Sequence, residues 1–310
     1  MVGSASDECD LRESQLTFRL PSPTGLTGEP AIPQDAPAGP IVVGIDETAA
    51  AAAALNWACH ESARFGAGLL LVHAYNPEAA RYSPSGDRLL PVRRQVAMRT
   101  LARAIRSAHD VAPDVSVRSR LVPADPVIAL QHAADNAVLT VLGATAGHRI
   151  RDALLGSPGY RTATSVHGPV LLVHEADDYQ PAGLVVAGVD GTPNSVAACL
   201  YAADSAARAG AALLLVHGAD PAELTAAGEA GLLGLVERCR TRHPELSVCR
   251  RSVLAYPGEA LVDASAKARM LVVGTHGRPA VGRFMLGSIS QYVIRAATCP
   301  VAVVRPPALT

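Results

Sequence analysis

Three glycines and a serine are spaced to hold a phosphate: Gly274-x-x-Gly277-x9-Gly287-Ser288. Gly274 and Gly277 have no Cβ, so their backbone can approach an anion closely and a positive φ is open to them. Gly287 gives the same freedom just ahead of a helical pattern. Ser288 is placed to cap that helix and, with the N–H groups of Ile289 and Ser290, to donate to phosphate oxygens. Arg278 and Arg283 lie between the glycines, where they would screen charge. His276 is either a phosphate contact or base, or a solvated loop residue. Asp190 ends an apolar run elsewhere in the chain. It is either a ligand contact or a turn residue for the helix that starts at Thr192-Pro193.

The flanking elements explain why these residues would act together. Met270–Val273 is a short apolar run of buried-strand length, and Ile289, Val293, Ile294 and Ala297 follow the spacing of an amphipathic helix face. A strand enters the loop and a helix leaves it, so exposed N–H groups and the positive end of a helix dipole face the same place.

From residue 41 onward the chain repeats itself. Gly44-Ile45-Asp46 lies on Gly188-Val189-Asp190, Leu69–His73 on Leu213–His217, Leu139–Gly143 on Met270–Gly274, and Val170–Val173 on Val301–Val304. Apolar runs alternate with Ala-rich helical stretches in each half, predicting an α/β fold: two tandem doubly wound, Rossmann-like domains, each with a five-stranded parallel sheet. In the second half strands are expected near 184–190, 212–217, 248–254, 269–274 and 300–304, with helices near 193–209, 221–242, 258–267 and 288–297. The domains span 41–176 and 185–306, joined by a linker over 177–184. Residues 1–40, rich in Ser, Pro, Gly and charge, read as a flexible extension. His73 and His217 sit at strand ends, where satisfied buried imidazoles are expected.

The 310 residues carry a net charge of −1 and are 49% hydrophobic, which argues against a nucleic-acid partner because no overall basic character is present to displace counterions. Lys267 is the sole lysine, so no Gly-Lys-Ser/Thr phosphate loop exists. The six cysteines form no Cys-x-x-Cys pair and read as reduced thiols. Neither a secretory signal nor an apolar stretch of bilayer length is visible, so a cytoplasmic protein without a membrane partner is expected.

The complete glycine spacing, with an aspartate at the end of the first strand, resembles the ATP-binding members of the universal stress protein family, and the resemblance covers both halves from about 41 to 305. It implies ATP as the ligand, with Mg²⁺ arriving on the phosphates. Carried over residue by residue, it places Asp190 against the adenosine moiety, Gly188 beside the base and Gly218 in the adenine pocket. It further implies that Val170–Val173 and Val301–Val304 pair about a pseudo-two-fold axis, as the last strands of family dimers do. A homodimer of the whole chain, an unidentified regulatory protein partner and a regulatory rather than enzymatic role are the corresponding expectations. An ATP-using enzyme and a nucleotide-free scaffold are the alternatives.

The first half departs from the pattern. Gly44, Asp46, Ala74, Gly143, Gly156 and Ser157 make up a possible weak second site, but Ala146 replaces the second glycine, Pro158 replaces Ile289 and Gly159 replaces Ser290. A phosphate donor lost in this way removes a charge-assisted hydrogen bond of about 1.5–3 kcal/mol. The first site is therefore expected to be weak or empty.

Overall fold

The computed structural model describes residues 39–76, 86–144, 158–166, 168–177, 179–219, 226–280 and 283–306. In the first half the elements run β1 (Ile41–Gly44), α1 (Ala49–Phe65), β2 (Leu69–Ala74), α2 (Gly86–Val111), β3 (Val117–Val122), α3 (Pro126–Ala134), β4 (Leu139–Ala144), α4 (Pro158–Ala163) and β5 (Val170–His174). The second half repeats them as β6 (Leu184–Gly188), α5 (Pro193–Ala209), β7 (Leu213–Ala219), α6 (Ala226–Arg242), β8 (Val248–Leu254), α7 (Pro257–Ser265) and β9 (Ala268–Gly274), then β10 (His276–Ala280), β11 (Arg283–Met285), α8 (Ser288–Ala296) and β12 (Val301–Val304). Of the expected extension, residues 1–38 lie outside the described residues, and Gly39 and Pro40 lie within them.

Local chemistry sets the helix ends. Thr48 and Thr192 cap α1 and α5 by accepting from Ala51 N and Ser195 N, and both helices stop at glycines in the left-handed region, Gly66 (φ 59°) and Gly210 (φ 60°), where a Cβ would be strained.

The two halves share one ten-stranded sheet in the order β3-β2-β1-β4-β5-β12-β9-β6-β7-β8. Every pairing in it is parallel except that of β5 with β12 at the centre. That register pairs Ala302 with Leu171, which are equivalent positions of the repeat, and Val301 with Leu172 and Val303 with Val170 on either side. A pseudo-two-fold axis therefore passes through the Leu171–Ala302 pair. Side chains alternate across the sheet: Val43, Leu71, Leu171 and Ala302 pack under α1, α2, α5 and α6, whereas Val42, Leu70, Leu172 and Val301 pack under α3, α4, α7 and α8. Both cores cross the junction between the halves.

A buried polar cluster closes the junction on one side. Glu61 of α1 accepts hydrogen bonds from Arg269 of β9, Arg64, and the Tyr179 hydroxyl at 2.7 Å, and the Tyr179 ring stacks on His60. Arg269 also donates to the Pro181 carbonyl at 2.9 Å, which ties the connection between the halves to both. On the opposite side Arg305 donates to the Ala163 carbonyl at 2.8 Å.

Candidate nucleotide site

β6 and β9 are neighbours in the sheet although two strands separate them in sequence, so helices leave their carboxyl ends toward opposite faces and a crevice opens between them. A cleft of about 720 Å³ lies there. Its lining includes Gly188, Asp190, Gly218, Gly274, Gly287, Ser288, Ile289 and Ser290, which brings together eight of the eleven residues expected at the site. The other three, His276, Gly277 and Arg278, fall on β10, and their side chains lie outside the described part of the structure. β10 pairs antiparallel with β11, so the segment expected as a plain loop is a hairpin.

Glycine serves packing here as much as ligand approach. Gly274 is the extended last residue of β9, without the positive φ that its type allows. A Cβ on it would stand 2.8 Å from the backbone C and O of Asn194, so β9 meets the first turn of α5 too closely for any side chain. Gly218 is held in the same way by Pro257, whose Cα would be 2.6 Å from an added Cβ, and Gly188 by the Leu261 side chain.

The helix start differs from expectation at one residue. Gly287, with φ −63° and ψ 162°, is the cap of α8, and Ser288 is the first helical residue. A glycine cap has no side-chain acceptor, and no side-chain hydrogen bond caps this helix. The N–H groups of the first turn thus face the cleft without the partner that a serine or aspartate cap supplies. The Ser290 hydroxyl donates to the Gly274 carbonyl at 2.9 Å, clamping the helix start to the strand end.

Asp190 combines its two expected positions. Its Oδ1 accepts from Thr192 N at 2.9 Å and Thr192 Oγ1 at 2.7 Å, forming the turn into α5, while the residue lines the cleft. Asp46 makes the same pair of bonds to Thr48. His217 also lines the cleft, half-buried, against the expectation of a buried strand-end imidazole. Its counterpart His73 does fit that expectation in part, donating from Nδ1 to the Ile45 carbonyl at 2.7 Å. Sequence reasoning passed over Asn194, Ser195, Pro257 and Leu261, which complete the walls. Their proximity arises only from the crossover topology.

In the first half the corresponding cavity is about 110 Å³ among the described residues, lined by Gly44, Asp46, Ala74, Gly143 and Gly159 among others. Gly156 and Ser157 lie outside the described residues, as does Ala146. Leu142 stands where the second half has Val273, and its Cδ2 fills the space beside Gly44, 2.5 Å from where a Cβ would be. The methyl of Ala74 stands where Gly218 has none. Added side-chain volume accordingly joins the lost donors in distinguishing the two halves.

Among the described residues no group of three or more His, Cys, Asp or Glu could hold a metal ion, and no helix is long and apolar enough to cross a membrane.

Comparison with known proteins agrees with this architecture. A universal stress protein of Mycobacterium tuberculosis (strain H37Rv) is 32% identical over 289 residues, covering 86% of this chain and 96% of its own length. One from Mycolicibacterium smegmatis is 30% identical over 289 residues, covering 86% and 97%. The crystal structure of a universal stress protein from Archaeoglobus fulgidus superposes with a TM-score of 0.71 at 18% identity, covering 86% of this chain and 98% of that one, a likeness of fold. The model of the universal stress protein family matches twice, at residues 38–174 and 183–305, once on each half of the ten-stranded sheet. The chain is therefore a two-domain member of the universal stress protein family.

Proposed function

We propose that the second domain binds ATP and that the nucleotide serves as a regulatory ligand in a stress response. The observation that carries this reading is the 720 Å³ cleft at the β6/β9 crevice, one wall of which is a helix start without a side-chain cap. Its size falls in the range of ligand pockets, roughly 300–1,000 Å³. The residues fit the parts of a nucleotide: the first-turn N–H groups of α8 suit phosphate oxygens, the apolar Val189, Val216 and Leu261 suit a base, and Asp190 and His217 suit ribose hydroxyls. Mg²⁺ would be carried by the phosphates rather than by a protein cage. Asp190, which lines the cleft, is held in place by the bonds of its Oδ1 to Thr192.

The first domain, with its smaller cavity, binds nucleotide weakly or not at all in this proposal. Denaturing the purified protein and identifying released nucleotide by chromatography, followed by calorimetric titration of the emptied chain with ATP and Mg²⁺, tests both statements. One adenine nucleotide per chain is expected. No released nucleotide and no heat of binding would sink the proposal, and two per chain would overturn the inequality of the domains. Steady-state ATP turnover well above background, abolished by His276→Ala, would favour an enzyme.

A further inference from the structure

Two cysteines of the second domain face each other inside the core. Cys199 on α5 and Cys239 on α6 are both fully buried, and their sulfurs stand 3.6 Å apart, in contact but not bonded. They lie 40 residues apart in sequence, so no Cys-x-x-Cys spacing announces them. The internal repeat shows that packing does not require them. α1 and α5 have the same length and start at equivalent threonine caps, which places Leu55 at the Cys199 position. The ends of α2 and α6 make the same bonds, Ala112 N to the Ala108 carbonyl and His243 N to the Cys239 carbonyl, which places Ala108 at the Cys239 position. Leu55 and Ala108 are buried in the same layer of the core as the two cysteines. One half thus fills this seam with an ordinary apolar pair and the other fills it with two thiols.

The surroundings make one sulfur the better nucleophile. With Cys199 as donor, the S–H···S contact holds the Cys239 thiol below its usual range, and the charges of Arg238 and Arg242 act in the same direction, against burial and Asp204. The thiols of Cys59 and Cys299 are instead pushed up by burial, to about 11 and about 12. A disulfide bond is about 2.0 Å long, so closure asks the two sulfurs to approach by roughly 1.6 Å, within reach of side-chain rotation and a small slide of α6 on α5. The seam meets solvent about one turn further along both helices. There Asp204 of α5 bridges Arg242, at 2.5 and 3.0 Å, and His243, at 2.7 Å. Hydrogen peroxide, little larger than a water molecule, enters when this surface bridge parts in a local opening.

We propose that Cys199 and Cys239 are a redox modification site, a dithiol that hydrogen peroxide closes to a disulfide joining α5 to α6. The Cys239 thiolate attacks one peroxide oxygen and the O–O bond breaks. Cys239 sulfenic acid forms, and the other oxygen leaves as water with the proton that Cys239 gave up. The Cys199 sulfur then attacks Cys239 Sγ, the S–O bond breaks, and the second water departs with the Cys199 proton. The pair loses two electrons and two protons, and one peroxide becomes two waters. The bond fixes together two helices whose first turns, at Asn194, Ser195 and Gly228, line the cleft. Its formation does not require nucleotide there.

The test treats the full, natively folded chain with a small molar excess of hydrogen peroxide, blocks the remaining thiols with iodoacetamide, and maps the digested peptides by mass spectrometry. A peptide pair linked through Cys199 and Cys239 and two hydrogens lighter is expected, separating into its two parts on treatment with dithiothreitol. The urea midpoint of the oxidised chain should rise, because the bond closes a 40-residue loop in the unfolded state, and should return on reduction. The double variant Cys199→Leu/Cys239→Ala gives the seam the first domain's residues, and Cys239→Ala alone removes one sulfur with a smaller change in packing. Both should unfold cooperatively and lose the peroxide-driven rise. Native protein in which peroxide consumes neither thiol would overturn the proposal, as would oxidation of Cys59 or Cys299 ahead of the pair. A linked pair that leaves the midpoint unmoved would overturn the joining of the two helices.

Discussion

A methyl group on Gly143 would stand 2.5 Å from the backbone of Ala50 and Ala51, just as one on Gly274 would collide with Asn194. Both obstacles are main-chain atoms of a helix's first turn, which cannot swing aside as a side chain does. Gly143→Ala is therefore expected to destabilise the first domain by about 1–3 kcal/mol, the usual range for overpacking, and to lower the urea midpoint while leaving nucleotide stoichiometry unchanged. An unchanged midpoint would show that the glycine is not needed for packing. Gly274→Ala should lower the midpoint similarly and weaken ATP binding as well. The glycine pattern was legible in the sequence, but its physical reason was not: a glycine kept for helix packing and one kept for phosphate look alike, and Gly143 persists in the half with the smaller cavity. Leu142 was equally silent, because Leu and Val are interchangeable in an apolar strand pattern and only the crevice reveals their difference in volume.

At the scale of elements, α8 trades helix stability for an open end. Serine at the Gly287 position would supply a side-chain acceptor to the first-turn N–H groups and stabilise the helix by a few tenths of a kcal/mol. The same acceptor competes with phosphate for those donors. Gly287→Ser should thus raise thermal stability slightly while weakening ATP, and Gly287→Asp, which adds a negative charge beside the phosphates, should reduce affinity by about tenfold or more. Thermal melts and calorimetry on the two variants check both directions, and undiminished affinity in the aspartate variant would remove α8 from the site. The strands and helices themselves were largely readable, because the repeat displays each pattern twice. The β10/β11 hairpin was not, since His276-Gly277-Arg278-Pro279-Ala280 carries no alternation of apolar and polar residues and includes a proline.

Across the whole molecule, a strand ladder and a buried ion pair are among the bonds that join the halves. Glu61 and Arg269 are 5% and 2% exposed, and no periodicity in the sequence could have matched residues so far apart. Glu61→Ala strands a buried guanidinium and should cost about 3–5 kcal/mol, whereas Glu61→Met with Arg269→Met should be milder than the single change. Chemical denaturation of both variants decides this, and a double variant weaker than the single one would refute the pairing. The ladder carries a different consequence, one of timing. β5 is fully buried in the finished sheet, but its partner β12 is made about 130 residues later, on the order of 10 s at ordinary translation rates. During that interval the newly made first domain presents an unpaired apolar edge to its surroundings, and the chain depends on its own second half arriving before a neighbouring chain does.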